Sequence, residues 1–249
     1  MGQYDTALMV LGESLKLFYK VGDTIDAIVS VKELGHTFLL SGQYKKATAE
    51  FGKAYNLLQL MPNEVELLRV IQLYGDLNLR KKLYDSAQFY YEQALEGYRP
   101  DRLGKQSILN NLAKIAYNKG DLTSAEGYYR KAYRLSIKLD QRSSAGQALN
   151  GIAIIQKRRE QFDSAIINYE KSIAILEQED PLQLIHPIYN LSLLYEEQGN
   201  YEKALGLRAR HEQLFIEGER SKQEAIKLQL QLSDRETQLA ELQAAKEQA

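Results

Sequence analysis

The sequence of 249 residues contains no cysteine, no tryptophan and only 4 prolines. Without cysteine, the chain can form neither disulfide bonds nor thiolate metal sites. Few prolines means few residues that interrupt a helix, and the frequent residues, among them Leu, Ala, Glu, Lys and Gln, are good helix formers. The composition therefore predicts an almost wholly helical protein.

Neither sign of charge predominates, because 32 basic and 33 acidic residues leave a net charge of −1. A nucleic-acid-binding surface needs a basic excess on one face, so we expect no nucleic-acid partner for this chain. No apolar run approaches the roughly 20 residues that cross a bilayer. The N-terminal segment lacks the basic start and the cleavage site of a signal peptide, and its pattern instead predicts an amphipathic helix.

The sequence contains few residues or motifs that could support catalysis or metal binding. The three histidines, His36, His186 and His211, are far apart in sequence and lack the spacing of metal ligands. The sequence contains no phosphate-binding glycine loop, no dinucleotide-binding motif and no nucleophile elbow. We therefore expect no cofactor, no metal and no catalytic activity from these residues.

What the sequence does contain is a repeat of about forty residues. An aromatic residue or Leu, two variable residues and then Ala recur six times, with alanines separated by 40, 40, 38, 40 and 39 positions. Most copies continue with a bulky residue four positions later and a small residue seven positions later. A small residue also stands twelve positions before most of the alanines. The six alanines are Ala7, Ala47, Ala87, Ala125, Ala165 and Ala204.

Each repeat predicts two helices. The second helix carries Ala, an aromatic residue and a small residue at i, i+4 and i+7, which is one stripe of a 3.6-residue period. We expect this tyrosine-rich stripe to be buried core. The glycines Gly42, Gly120 and Gly199 are expected to end first helices in a left-handed conformation. Lys82 and Glu160 occupy that position in two repeats, where we expect a less ideal turn.

The pattern resembles the tetratricopeptide repeat (TPR) over about residues 2–206. The likeness rests on runs such as Leu109-Asn110-Asn111-Leu112-Ala113 and Ala125-Glu126-Gly127-Tyr128-Tyr129. The period near forty is similar to that of kinesin light chains and of bacterial signalling proteins. The resemblance implies an all-α fold, a right-handed TPR superhelix. It would contain a partial repeat over residues 1–22 and about five full hairpins, near residues 23–62, 63–100, 101–140, 141–180 and 181–214.

Both ends of the sequence depart from a complete array. Residue 1 falls about halfway through a repeat, so that only its second helix remains, from about Tyr4 to Tyr19. Natural arrays normally begin with a capping helix. We therefore favour a fragment of a longer chain, and the alternative is that this helix is itself the cap.

The last segment, residues 215–249, predicts one long helix without a stop signal. Two interpretations stay open: a coiled coil that forms a homodimer, which we favour, or a single solvated helix docked on the last repeat. The coiled-coil pattern is incomplete, since Arg235 and Lys246 interrupt the heptad positions. Its apolar residues are Ala225, Leu228, Leu232, Leu239 and Leu242.

The resemblance implies that a protein or peptide ligand binds on the concave face, which is lined by the first helices. Asn110, Asn150 and Tyr189 occupy equivalent positions in three successive repeats, and Asn111 and Asn190 follow one residue later. An asparagine amide offers both a donor and an acceptor to a peptide backbone. The predicted peptide-binding residues are Asn110, Asn111, Lys114, Asn150, Lys157, Arg158, Tyr189 and Asn190. Their basic members would receive an acidic side chain or a terminal carboxylate. Further candidates are Lys32, His36, Arg69, Gln72, Asp76, Arg80, Tyr117, Gln147, His186 and Glu197.

Three functions agree with this pattern. The first is a peptide- or protein-binding module of a larger bacterial signalling protein, which relays occupancy through its C-terminal helix. The second is a constitutive scaffold that assembles other proteins without sensing. The third is a subunit of an enzyme complex in which catalysis lies elsewhere. The first rests on family-level analogy, and we favour it.

Overall fold

The computed structural model describes residues 24–97, 104–179 and 181–220. Within these ranges the chain forms ten α-helices and no strand, so the predicted all-α fold is confirmed. Their bounds are α1 Thr24–Leu40, α2 Tyr44–Leu60, α3 Glu64–Arg80, α4 Tyr84–Gly97, α5 Lys105–Asn118, α6 Leu122–Lys138, α7 Arg142–Arg158, α8 Phe162–Leu176, α9 Ile185–Glu197 and α10 over residues 201–220. A short 3₁₀ helix, Pro181–Leu184, precedes α9.

The helices form the predicted antiparallel hairpins, each with a first and a second helix. The predicted partial repeat over residues 1–22 lies outside the described residues, as does most of the predicted C-terminal helix, residues 221–249. None of the helices in the described ranges is long and apolar enough to span a membrane.

The chain divides into two compact units, one of Met1–Leu77 with Glu219–Ala249 and the other of Asn78–Gly218. In the first unit, Ile28 and Val31 of α1 pack with Ala54 of α2 and Val70 of α3. Gly35 of α1 lies so close to Phe51 of α2 that an added Cβ would come within 2.6 Å of the ring. The small residue of the repeat pattern therefore makes room for the aromatic residue of the second helix.

One predicted groove residue of the first unit lies inside it instead. Lys32 is only 5% exposed, and its Nζ lies 2.7 Å from Oε2 of the equally buried Glu66 on α3. The guanidinium of Arg69 binds the other oxygen of the same carboxylate at 2.7 Å. Because the Lys32 ammonium group is buried in an ion pair with Glu66, the expectation that Lys32 faces a ligand is wrong. His36 is half-buried beside Glu33, with Nδ1 4.0 Å from its carboxylate.

The second unit stacks its helices in chain order. One core cluster joins Leu109 of α5, Tyr129 of α6 and Ile152 of α7, and a second joins Tyr169 of α8 to Leu191 of α9. Across both units, the repeat alanines in the described ranges are at most 4% exposed, as the pattern predicts. They are Ala47, Ala87, Ala125, Ala165 and Ala204.

The turns inside the hairpins share one backbone conformation. Gly42, Gly120 and Gly199 have φ of 76°, 85° and 74°, which confirms the predicted left-handed ends of the first helices. Lys82 and Glu160 adopt the same conformation, with φ of 59° and 60°. The closing hydrogen bond is also the same: Gln161 N donates to Gln156 O at 2.9 Å, as Asp121 N does to Ala116 O. The turns at Lys82 and Glu160 therefore keep the glycine geometry, and the strain falls on a residue with a Cβ.

Replacing Glu160 by Gly should stabilise the protein by about 1 kcal/mol. A left-handed conformation costs a non-glycine residue about 1–2 kcal/mol. The glycine variant loses about 0.5–1 kcal/mol of this gain, because its unfolded chain has more conformational entropy. Urea unfolding followed by circular dichroism measures the change. Gly120→Ala is the matched control and should destabilise; an equal or lower midpoint for Glu160→Gly would contradict the strain at this turn.

Candidate functional site

A groove with a cavity volume of about 670 Å³ lies across the first helices of three successive hairpins, α5, α7 and α9, in the second unit. Amides, one lysine and one histidine stand among apolar and aromatic side chains on its walls. The lining residues are Lys114, Tyr117, Asn118, Tyr129, Gln147, Asn150, Gly151, Ile154, Leu176, Leu182, Gln183, His186, Pro187 and Asn190. A mostly apolar wall with a few polar groups is the usual character of a ligand site.

The floor of the groove depends on one glycine. Gly151 of α7 lies against the ring of Tyr129, which comes from α6 beneath it, and an added Cβ would stand 2.3 Å from Cζ of that ring. The missing side chain therefore lets a core tyrosine extend under α7 as far as the groove. The buried stripe predicted for Tyr129 is confirmed, since only 6% of the residue is exposed, but its outer end also lines the site.

Tyr117 influences two buried tyrosines, Tyr129 at this floor and Tyr169 of α8, which lies outside the lining of the groove. Burial raises the pKa of Tyr129 and of Tyr169, and in both cases Tyr117 raises the pKa further. One residue of α5 thus acts on side chains from α6 and α8. A tyrosine hydroxyl group is neutral at physiological pH, and the raised pKa keeps both of these phenols neutral in more alkaline solution as well. The floor therefore presents aromatic surface and neutral hydroxyl groups, without a negative charge.

An asparagine pair bridges two helices on the groove wall. Nδ2 of Asn190 on α9 donates to Oδ1 of Asn150 on α7 at 3.1 Å. This bond leaves the amino group of Asn150 and the carbonyl oxygen of Asn190 without a hydrogen-bond partner in the part of the chain that the structure describes. One donor and one acceptor therefore remain on the two bonded amides, and a peptide group offers the complementary acceptor and donor.

A neighbouring hollow of about 610 Å³ shares Tyr117, Ile154 and Asn190 with the groove and extends it toward the ends of α7 and α9. Here Lys157 of α7 forms an ion pair with Glu197 of α9, with Nζ 2.8 Å from Oε2. Arg158 lies with its guanidinium 5.6 Å from the ring centre of Tyr117. No carboxylate in the described ranges lies within ion-pair distance of Arg158. Arg158 is thus the cation of this hollow whose charge no carboxylate compensates.

The structure separates the predicted binding residues into three groups. Lys114, Asn150 and Asn190 line the groove, and Lys157, Arg158 and again Asn190 line the hollow. Asn110 is 3% exposed and donates from Nδ2 to Ser144 O at 3.2 Å, so it holds α5 against α7 rather than facing a ligand.

Asn111 and Tyr189 are absent from the walls of both cavities. Asn111 is half-buried and donates to the hydroxyl of Tyr91 at 3.1 Å, and it accepts from Lys114 Nζ at 3.4 Å. Tyr189 faces α10, with its ring 5.1 Å from that of His211. Equivalent positions of the repeat therefore have different surroundings, because the neighbouring side chains differ from one repeat to the next.

Several lining residues were not predicted from the sequence, above all Gly151, Tyr129, Ile154, Gln183 and Pro187. One signal was present for the first two. Helices α5 and α9 carry Asn111 and Asn190 where α7 carries Gly151, and glycine inside a helix indicates close approach of another group. Within the described ranges, no cluster of three His, Asp or Glu side chains could hold a metal ion.

The fold is an array of helical hairpins with a groove along its first helices. Family models of the tetratricopeptide repeat match residues 105–178 and 68–96. The chain therefore contains tetratricopeptide repeats within these residues. A comparison with curated proteins finds no match.

Solved structures share this fold. BtubC from P. vanneervenii matches with a TM-score of 0.72 and 21% identity over 87% of this chain and 92% of that one. Aspartyl phosphate phosphatase F from Bacillus subtilis matches with a TM-score of 0.67 and 17% identity, over 92% of this chain and 66% of that chain. A Rap protein in complex with competence and sporulation factor matches with a TM-score of 0.68 and 16% identity, over 86% and 65%. At these identities the comparisons establish the fold alone.

Replacing Gly151 by Ala should destabilise the protein by about 1–3 kcal/mol, because the new methyl group overlaps the Tyr129 ring. Gly127→Ala is the matched control. A Cβ at Gly127 meets nothing within 4 Å, so this change should stabilise α6 by up to about 1 kcal/mol. Thermal unfolding of both variants tests this prediction. If the two melting temperatures shift equally and in the same direction, the packing of Tyr129 does not require a glycine at position 151.

Proposed function

We propose that this chain binds an extended peptide segment of another protein in the groove between α5, α7 and α9. The first helices lie side by side there, so the groove crosses several repeats and can follow a peptide over several residues. Its aromatic and aliphatic floor would accept apolar side chains, while its amides would bind the backbone. Protein binding is the general role that the TPR fold supports.

The asparagine pair is the observation that carries this proposal. A peptide group placed against Asn150 and Asn190 would accept a hydrogen bond from the first and donate one to the second. Their mutual bond at 3.1 Å holds both amides in position before the ligand arrives. Because this order exists in the free protein, binding loses less side-chain entropy than it would with two mobile amides.

The charges favour a ligand with an acidic group. Lys157 is neutralised by Glu197, whereas Arg158 has no carboxylate within ion-pair distance in the described residues and lies against the ring of Tyr117. An arginine held in place can bind a carboxylate through two parallel hydrogen bonds. We expect either a terminal carboxylate or an Asp or Glu side chain of the ligand at Arg158.

The double variant Asn150→Ala/Asn190→Ala should bind peptide about thirtyfold more weakly. Two backbone hydrogen bonds of about 1 kcal/mol each account for a loss of about 2 kcal/mol. The probe is a set of dodecapeptides selected against the native chain from a random displayed library, with dissociation constants measured by calorimetry. Selected peptides should contain an acidic residue, and Arg158→Gln should weaken those peptides more than neutral ones.

Asn56→Ala provides the matched control, because Asn56 is an exposed asparagine on α2, outside the groove. The control should leave every dissociation constant unchanged, and thermal unfolding verifies that the double variant is folded. If the selected peptides bind the double variant as tightly as the native chain, the groove is not the peptide-binding site.

For the wider role, we propose that the chain is the sensory part of a larger bacterial signalling protein, in which peptide occupancy is relayed through α10. Support comes by analogy from the Rap protein solved with competence and sporulation factor, whose fold this chain shares. The alternative is a constitutive scaffold, in which the same groove assembles proteins without a conformational response. Adjacent carboxylates of α9 connect the two regions: Glu197 binds Lys157 at the groove, and Glu196 binds Arg208 of α10.

Amide hydrogen exchange distinguishes the two roles. For a sensor, binding of a selected peptide should slow exchange in α5, α7 and α9 and also change the exchange in α10. For a scaffold, the change should be confined to the groove helices. The double asparagine variant at the same peptide concentration is the control, and an α10 response that persists in it would not come from the groove.

A further inference from the structure

The last helix of the second unit, α10, carries large apolar side chains along one side that are exposed in the described part of the chain. The exposed fractions of Tyr201 and Leu205 are both 70%, and those of Phe215 and Ile216 are 54% and 58%. Together with Arg208 and Glu212, these residues recur at intervals of three and four, so they form one stripe along the helix. We call these six residues the α10 stripe.

In the preceding hairpin, the equivalent stripe is covered. Phe162, Ile166 and Leu176 of α8 stand where α10 has Tyr201, Leu205 and Phe215, counted from the repeat alanines. Those three side chains belong to a core cluster that includes Ile188 and Leu191 of α9, and Leu176 is only 1% exposed. The α10 stripe is therefore the side of a second helix that ordinarily packs against another helix.

The chain does not turn back to cover the stripe at the usual place. Lys138 ends α6 thirteen residues after Ala125, and Leu176 ends α8 eleven residues after Ala165. Helix α10 still continues at residue 220, sixteen residues after Ala204. The turn that brings the next first helix over a second helix is thus absent from the described residues.

The α10 stripe can pair with an identical stripe that runs in the opposite direction. If a twofold axis passes through position 210, Leu205 of one helix lies opposite Phe215 of the other, and Arg208 lies opposite Glu212. In an antiparallel pair of identical helices, each of these contacts therefore occurs twice. Arg208 binds Glu196 of its own chain, and its fork of five N–H donors leaves others for a second carboxylate.

We propose that a second copy of this chain packs antiparallel on the α10 stripe and forms a twofold-symmetric dimer. The Arg208 and Glu212 pairs between copies lie nearest the twofold axis, and Leu205 of each copy contacts Phe215 of the other on either side of them. Twofold symmetry requires a patch that complements itself, and the reversed order of this stripe meets that condition. This interface is separate from the peptide groove and does not depend on the proposed function.

The test is sedimentation of the full 249-residue chain over a wide concentration range. The native chain should dimerise, and Leu205→Glu should weaken the dimer by more than about a hundredfold, because the symmetric interface contains the substitution twice. Ile167→Glu is the matched control: Ile167 is an exposed aliphatic residue on α8 at 50%, and this variant should dimerise like the native chain. Thermal unfolding verifies that both variants are folded.

Thiol cross-linking tests the orientation, because the chain has no cysteine of its own. With a short bismaleimide, a mixture of Leu205→Cys and Phe215→Cys chains should cross-link, and each variant alone should cross-link far less. A native chain that stays monomeric, a dimer that Leu205→Glu leaves intact, or Leu205→Cys linking to itself would each overturn the proposal. The second of these outcomes would indicate dimerisation through another segment.

Discussion

The architecture depends on a few places where one helix has no side chain and its neighbour has a large one. Gly35 accepts Phe51, Gly151 accepts Tyr129, and Gly146 accepts Leu176, with an added Cβ in each case falling within 2.7 Å of the partner's atoms. Such contact brings the helix axes close and gives each pair of helices one register. At Gly151 the same contact also allows a tyrosine to reach the groove. Packing and site formation are therefore the same interaction there.

The repeat made the helices and the core predictable. Apolar periodicity and spaced alanines are local properties of the sequence, and they predicted the hairpins, the buried alanines and the left-handed glycines. Lys82 and Glu160 were expected to make poorer turns, yet they adopt the glycine conformation. The reason is energetic: a strain of about 1–2 kcal/mol is small beside the burial of the stripes that the turn connects. Tertiary packing determines the backbone, and the turn residue follows it.

The site was less predictable, because it depends on side-chain direction and on neighbours distant in sequence. Lys114, Asn150, Arg158 and Asn190 could be found from a single rule, that first helices line a groove. The same rule misplaced Asn110, whose amide binds the Ser144 carbonyl oxygen. It also misplaced Lys32, whose partner Glu66 lies 34 residues away and is equally buried. Nothing in the repeat distinguishes an amide that holds two helices together from one that faces solvent.

Glu196 and Glu197 connect the two surfaces of the second unit. They are adjacent on α9, and one binds Arg208 on α10 while the other binds Lys157 at the groove. Ion pairs this exposed are worth about 0–1 kcal/mol each, so they cannot by themselves carry a large coupling between groove and α10. A relay of useful size must instead move α9 as a rigid body, since its buried face packs against α8 and α10 through Ile188, Leu191 and Leu194. Well-packed helices shift between discrete arrangements rather than deforming continuously. A ligand that draws α7 and α9 together would therefore act on α10 through this core, and the two glutamates would report the shift rather than cause it.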